Sequence, residues 1–215
     1  MCLNLNRVKF PLRRYLFQSL RKIDLSFYES VLIGPGIGID VSDWERSSQI
    51  LVNFQGTLVI DADALNRIAE SEMGTQFFKE RKFKTFITPH KAEFRRLFPD
   101  LREINNVELA IKAADEFNLS ILLKGANSVI ADKLLAWQLF KTDADSARAG
   151  FGDLLAGFIA GMTAFELASG ETNHTESLAK YAFLHSFAAS KCKDGSDASS
   201  IYRELSKIVR EIKMG

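Results

Sequence analysis

Cysteine is nearly absent from this chain of 215 residues, whose only two cysteines, Cys2 and Cys192, lie at opposite ends. This spacing argues against a disulfide framework and provides no CxxC pair for a zinc site, and no other metal site is predicted. A reducing compartment fits best, so we expect a cytoplasmic protein. No uninterrupted apolar run reaches the roughly 18 to 20 residues of a membrane-spanning helix, so we also expect no membrane partner.

An excess of charge of one sign is also missing. The formal net charge is +1, and no nucleic-acid-binding motif is present, so we expect no nucleic acid partner. The exception is local, because residues 1–23 carry six basic residues and no acidic one. We interpret residues 1–29 as a basic leader, with an organelle transit peptide as the alternative. The length favours one domain over residues 1–215.

Strand and helix patterns alternate from residue 30 onward. Short apolar runs predict strands at 30–33, 57–60, 85–88 and 121–123, followed by a hairpin at 128–130 and 134–139. Helical spacing follows the first strand and recurs at 65–69, 73–81, 106–117, 152–168, 174–190 and 197–212. Continuous apolar strands separated by helices are typical of a parallel sheet covered on both faces. The sequence therefore predicts an α/β fold, a three-layer α/β/α sandwich with a mostly parallel central sheet.

Each predicted strand is followed by a polar or glycine-rich string. These strings lie at 34–38, 61–66, 88–93 and 124–128. An open parallel sheet binds its ligands at the carboxyl ends of its strands, so the strings mark one candidate site. Each also has a structural alternative: the glycines make a tight turn, and the Asp and Asn side chains cap a helix.

Two side chains in these strings are open to both interpretations. His90, one of three histidines, is either a hydrogen-bonded structural residue or a catalyst, and Glu93 is placed to cap the next helix. Lys124 ends an apolar strand, where an unpaired charge is costly. Either a phosphate or a carboxylate should therefore neutralise Lys124.

A further glycine pair leads into an acidic residue at Gly150, Phe151, Gly152 and Asp153, ahead of a small-residue-rich apolar helix. Glycines before a helix leave backbone N–H groups free to bind an anion, and Asp153 in that field is a candidate base for phosphoryl transfer. The alternative is an ordinary N-capped helix in which Asp153 satisfies the first amides.

Taken in order, the strings resemble the NAD(P)H-hydrate dehydratase family, whose members are related to ribokinase-like kinases. The matching segments are VLIGPGIG at 31–38, VIDADALN at 59–66, TPHKAEF at 88–94, LKGANS at 123–128 and GFGDLLAG at 150–157. His185 adds weaker support. The resemblance covers about residues 30–212 and implies a ribokinase-like fold.

The resemblance also implies a reaction and its site residues. The family uses ATP or ADP, with Mg²⁺, to phosphorylate the ring hydroxyl of hydrated NADH or NADPH and then eliminates phosphate to restore the cofactor. Asp153 would be the base, and Gly150 and Gly152 would form the anion hole. The other implied residues contact the hydrated cofactor, namely Gly36, Asp63, Asn66, His90 and Asp153, or the nucleotide, namely Lys124, Gly125, Ala126, Asn127, Ser128 and Gly152.

Two of the chain's departures from the family bear most on its activity. Phe151 stands where the family usually has Thr, so we expect its ring to crowd the phosphate. Only about 29 residues precede the first strand, so we expect an exposed sheet edge that a partner subunit of a homo-oligomer covers. Two alternatives stay open: a ribokinase-like small-molecule kinase, which the same Gly-Asp helix start supports, and a degenerate nucleotide-binding relative, which these departures motivate.

Overall fold

The structure is a computed structural model that describes residues 20–38, 40–102, 105–140, 150–170, 175–192 and 197–214. Residues 1–19 of the basic leader and residue 174 of a predicted helix lie outside the described residues. Residues 20–29, which are the described part of the predicted leader, contain a short 3-10 helix, Leu25–Phe27, directly before the first strand.

The six described strands form one sheet in the order of the chain, from β1 at one edge to β6 at the other. They are β1 (Ser30–Ile33), β2 (Thr57–Ile60), β3 (Thr85–Ile87), β4 (Ser120–Leu123), β5 (Val129–Ala131) and β6 (Ala136–Gln138). β1 to β4 run parallel, and β4, β5 and β6 pair antiparallel. The mostly parallel sheet and the hairpin are therefore confirmed.

The register aligns the carboxyl ends of the parallel strands. Ile33 pairs with Ile60, Ile60 with Ile87, and Ile87 with Ile121, so one row of isoleucines crosses the sheet. Each strand ends at or shortly after this row. The strings that follow the strands consequently begin along one edge of the sheet, where the sequence predicts the site.

Eight helices are described: α1 (Val41–Val52), α2 (Asp63–Glu70), α3 (Gln76–Glu80), α4 (Lys91–Leu97), α5 (Asn106–Phe117), α6 (Phe151–Ala168), α7 (Thr175–Ser190) and α8 (Ala198–Met214). The helix predicted at 73–81 begins only at Gln76. Gly74 has a φ of +52° and closes a turn onto Ser71, which delays the start of that helix.

Side chains that alternate along the strands pack into two separate hydrophobic cores, one on each face of the sheet. Ile33, Ile60, Ile87 and Ile121 point to one face, where they pack with apolar residues of α1 to α5. The opposite face carries Val59, Phe86, Leu122 and Ile130, which pack with α6 and α7. Helices thus cover both faces, and the predicted three-layer α/β/α sandwich is confirmed. A third cluster joins α6 and α7 to α8.

Helix α6 is unusually apolar for a helix on the outside of a sheet. Its mean hydropathy is 1.4 over 18 residues, with 33% of the segment buried, so its length and composition alone would suit a membrane span. Core helices of soluble proteins meet the same criterion, and α6 packs against β1 and β2. Counting uninterrupted apolar residues did not single out this helix, and the absence of a membrane partner stays a prediction.

Candidate functional site at the carboxyl edge of the sheet

The loops after β1 and β2 are joined by backbone contacts. Gly34 has a φ of +132°, and a Cβ atom placed on it would lie 1.7 Å from the carbonyl oxygen of Asp61. Only glycine permits this approach. The Asp61 N–H donates to the Ile33 carbonyl at 3.1 Å, and the Gly38 N–H donates to Asp63 Oδ2 at 3.0 Å. The two loops therefore form one unit.

Asp61 lies at the centre of this edge and neutralises Lys124. Its Oδ1 accepts a hydrogen bond from Lys124 Nζ at 2.7 Å, and the Asp61 side chain is only 1% exposed. A phosphate or a carboxylate was expected to neutralise Lys124, and within the chain the counter-ion is this carboxylate. The Lys124 side chain stays 22% exposed and contributes to the lining of an open cleft.

The N-terminus of α6 meets the same ion pair. Gly150 is its N-cap, with a φ of +84° and no side chain to cap the helix. A Cβ on Gly152 would lie 3.5 Å from Lys124 Nζ and 3.9 Å from Asp61 Oδ2. Asp153, in the first turn, is exposed. The first turn of α6 therefore presents backbone N–H groups beside an ammonium, an arrangement suited to an anion.

Phe151 does not crowd this position, so that expectation is wrong. The Phe151 side chain is 7% exposed and lies in the cluster that joins α6 to α7 and α8, beside Leu184, Ala188 and Ile201. A helix turns by about 100° per residue, which separates the side chain at position 151 from its neighbours. Phe151, which stands where the family usually has Thr, thus adds an apolar side chain to the core between α6, α7 and α8.

His90 has the structural role in the described contacts. Its Nδ1 accepts hydrogen bonds from the N–H groups of Ala92 and Glu93 at 3.1 and 3.2 Å, while its own N–H donates to Glu93 Oε2 at 2.8 Å. This reciprocal capping box starts α4, and the predicted capping role of Glu93 is confirmed. The ring is nevertheless half exposed, and its contact with a substrate stays a prediction.

Two of the remaining predicted substrate residues, Asp63 and Asn66, lie on α2, and the third, Gly36, lies in the loop after β1. Asp63 is tied to the glycine loop through Gly38, and Asn66 Oδ1 accepts a hydrogen bond from Arg96 of α4. Gly36 is exposed, and a Cβ on it would meet nothing within 4 Å. Ala62, the N-cap of α2, has φ 50° and ψ −124°, a strained backbone conformation of the kind that clusters at functional sites.

The predicted nucleotide loop borders an open cleft of about 790 Å³. Lys124, Gly125, Ala126 and Asn127 line one side of it, and the start of α5 at 105–108 lines the other. Ser128 is turned into its own loop, where its hydroxyl donates to the Gly125 carbonyl at 3.0 Å and accepts from the Gly125 N–H at 3.3 Å. The volume suits a nucleotide-sized ligand.

Sequence reasoning placed Asp61 in the string at 61–66 but gave it no role in the site. The signal was present, since Lys124 required a carboxylate or phosphate and Asp61 was one of two acids after β2. The alternation of side chains along a strand does not predict which of the two turns toward Lys124.

His185 is buried in α7. Burial lowers the pKa of its imidazole to about 4, so the ring is neutral at pH 7. Its neutral ring is consistent with a packing role.

Comparison with known proteins identifies one family. The family model described as NAD(P)H-hydrate dehydratase matches residues 3–211. The bifunctional NAD(P)H-hydrate repair enzyme Nnr of Synechocystis sp. is 35% identical over 154 residues, which cover 69% of this chain and 29% of that protein. The Nnr of Methanopyrus kandleri is 31% identical over 72% of this chain and 30% of its own length. The chain thus spans less than a third of these curated relatives.

Solved structures support the fold. A ribokinase-like superfamily protein from Enterococcus faecalis gives a TM-score of 0.71 at 22% identity, covering 91% of this chain and 66% of its own. The ADP/ATP-dependent NAD(P)H-hydrate dehydratase of Bacillus subtilis, co-crystallised with ATP and Mg²⁺, gives 0.67 at 21% identity, covering 86% and 65%. The ribokinase-like fold predicted from the sequence is therefore confirmed.

Proposed function

Because this chain belongs to the NAD(P)H-hydrate dehydratase family, we propose that it dehydrates hydrated NADH and NADPH at the expense of ATP or ADP. The observation that supports this activity is the meeting of Lys124, Asp61 and the first turn of α6 beside an open cleft. Lys124 provides an ammonium and the α6 turn provides N–H donors for phosphate, next to the exposed carboxylate of Asp153.

The proposed reaction has two steps. The hydroxyl of the hydrated ring attacks the terminal phosphorus of the nucleotide, a new O–P bond forms, and the shortened nucleotide leaves. The hydroxyl proton passes to Asp153. The ring C–O bond then breaks, phosphate departs with the bonding electrons, and loss of one ring proton restores the double bond. Phosphate is a better leaving group than hydroxide, which explains the use of a nucleotide.

Each loop of the edge has a role in this scheme. The N–H groups of the α6 turn, at Gly150 to Asp153, stabilise the charge that develops on the transferred phosphoryl group. The loop from Lys124 to Ser128 borders the cleft for the nucleotide, and the units at 34–38 and 61–66, together with His90, border the hydrated cofactor. A single domain then carries both subsites.

Mg²⁺ would reach the site with the nucleotide. Among the described residues, no group of three or more His, Cys, Asp or Glu side chains is placed to hold a metal ion. Mg²⁺ in phosphoryl-transfer sites usually keeps several waters and binds substrate phosphates with few protein ligands. When bound it would neutralise phosphate charge, while the protein residues position the reactants.

We also propose a cytoplasmic homo-oligomer. Two cysteines far apart in sequence suit a reducing compartment. Within the described part of the chain, β1 is an edge strand whose outer side pairs with no other strand, and a second copy could cover it.

The test is the Asp153→Asn variant. Purified protein receives hydrated NADPH, Mg²⁺ and either nucleotide, and the return of dihydronicotinamide absorbance is followed. We expect turnover to fall by about 10²- to 10⁴-fold, the usual contribution of a positioned base. Stabilisation by ATP in a thermal-shift assay should remain, because the backbone and Lys124 are unchanged.

The matched control is Asp115→Asn, which removes an exposed carboxylate from α5 and should leave turnover unchanged. Unchanged turnover in Asp153→Asn would remove this residue from the base role. ATP consumption by wild-type protein without dihydronicotinamide would instead indicate a kinase, and no turnover of either kind would contradict the proposed activity.

A further inference from the structure

The ion pair between Asp61 and Lys124 fixes where the lysine ammonium lies. Nζ is 2.7 Å from Asp61 Oδ1, and it lies 3.5 Å from the position of a Cβ on Gly152. The ammonium is therefore held against the first turn of α6. A lysine without such a partner would sample many rotamers, because its side chain has four rotatable bonds.

Asp61 is itself held rigidly. Its side chain is 1% exposed, its N–H donates to Ile33, and the backbone of Gly34 crosses directly over its carbonyl oxygen. A buried carboxylate in this setting needs a cation, so the pair stays formed. An ammonium has three N–H donors, and one donates to Asp61, which leaves two for other acceptors.

We propose that Asp61 is a positioning residue that holds Lys124 beside the phosphoryl group in transfer. Lys124 then acts on the terminal phosphates and on the departing phosphate, in addition to bordering the nucleotide cleft. Asp61 acts only through Lys124. This inference rests on the proposed function for its chemistry, but the location of Lys124 beside terminal phosphates can be tested by binding alone.

Asp61→Asn separates positioning from affinity. The amide keeps the shape of the carboxylate and removes its charge, so the ammonium loses its fixed position while the site becomes more positive. We expect kcat to fall by about 10²-fold, the loss typical of one misplaced anion-stabilising donor. ATP should bind at least as tightly as to the wild type, by calorimetry, because no positive charge has been removed.

Two further variants, Lys124→Met and the double variant, complete a double-mutant cycle with Asp61→Asn. Lys124→Met should lower kcat by at least as much and weaken ATP about 10-fold while leaving AMP unchanged, since AMP lacks the terminal phosphates. The double variant Asp61→Asn with Lys124→Met leaves no buried unpaired charge, so it should fold where a single variant does not. It should be no slower than Lys124→Met alone, because Asp61 acts through the lysine.

Several outcomes would overturn the inference. These are a wild-type kcat in Asp61→Asn, a loss of ATP affinity in that variant that parallels its loss of kcat, and a double variant much slower than Lys124→Met. If the wild-type protein shows no turnover, the proposed function fails on its own. The ATP and AMP affinities of Lys124→Met then decide the position of Lys124, and equal losses for both nucleotides would refute it.

Discussion

Phe151 supports one quantitative prediction, because its position decides whether the departure from the family touches chemistry or packing. The ring is 7% exposed and lies among residues of α6, α7 and α8. Truncation of a buried Phe to Ala costs about 3 to 5 kcal/mol, from lost transfer free energy and the cavity that remains. We therefore expect Phe151→Ala to lose about that much unfolding free energy, and the smaller truncation Phe151→Leu to lose less.

Urea denaturation followed by circular dichroism measures these losses. With a slope of about 3 kcal/mol per molar urea, which suits a chain of this size, Phe151→Ala should lower the midpoint by about 1 to 1.7 M. The matched control is Phe165→Ala on the same helix, because that ring is half exposed and its loss should cost less unfolding free energy than the loss of the buried Phe151 ring.

Phe151→Thr separates packing from chemistry, because it introduces the residue that the family usually carries. We expect it to destabilise the protein, since Thr leaves most of the cavity and buries a hydroxyl. It should not raise kcat. Faster turnover in Phe151→Thr, with an unchanged urea midpoint, would refute the packing argument and would show that the ring does interfere with the phosphate.

Two other predictions concern stability. The pKa of His185 is about 4 in the folded state against about 6.5 unfolded, so the unfolded chain binds the extra proton and stability falls as pH drops below 6.5. Between pH 7 and 5 the unfolding free energy measured by urea titration should fall by about 2 kcal/mol. The His185→Leu variant should not show this fall, whereas the control variant His90→Asn, at an exposed histidine, should still show it. Gly34→Ala should prevent or severely impair folding because of its 1.7 Å clash, whereas Gly36→Ala should cost about 1 to 2 kcal/mol, judged by thermal unfolding.

The layers of the fold were predictable because their signal is local. Four apolar runs formed four parallel strands, the helices between the strands covered one face of the sheet, and α6 and α7, which follow the sheet, covered the other. The ends of elements were less predictable, since they depend on backbone conformations such as that of Gly74. Helix α4 was implied only by its cap at Glu93, because its seven residues are too few to show a clear helical period.

Contacts between elements distant in sequence were beyond prediction. Arg81 is the clearest case: its buried guanidinium donates to the carbonyl oxygens of Leu51, Phe54 and Gly56, and burial lowers its pKa to about 10. The spacing of residues along the chain does not predict which carbonyl groups Arg81 contacts. For the same reason, the sequence predicts that Lys124 needs a counter-ion but does not identify Asp61 as that counter-ion.

The glycines after β1 illustrate how one string serves two purposes. Residues 34–38 belong to the predicted ligand site, yet Gly34 approaches the protein's own backbone at Asp61. Gly36 faces open space and is the glycine left for a ligand. Since Asp61 in turn holds Lys124, the conformation of Gly34 supports the position of a cation three strands away. A substitution at Gly34 should therefore impair phosphate chemistry even in molecules that still fold, whereas one at Gly36 should affect substrate binding and lower stability only modestly.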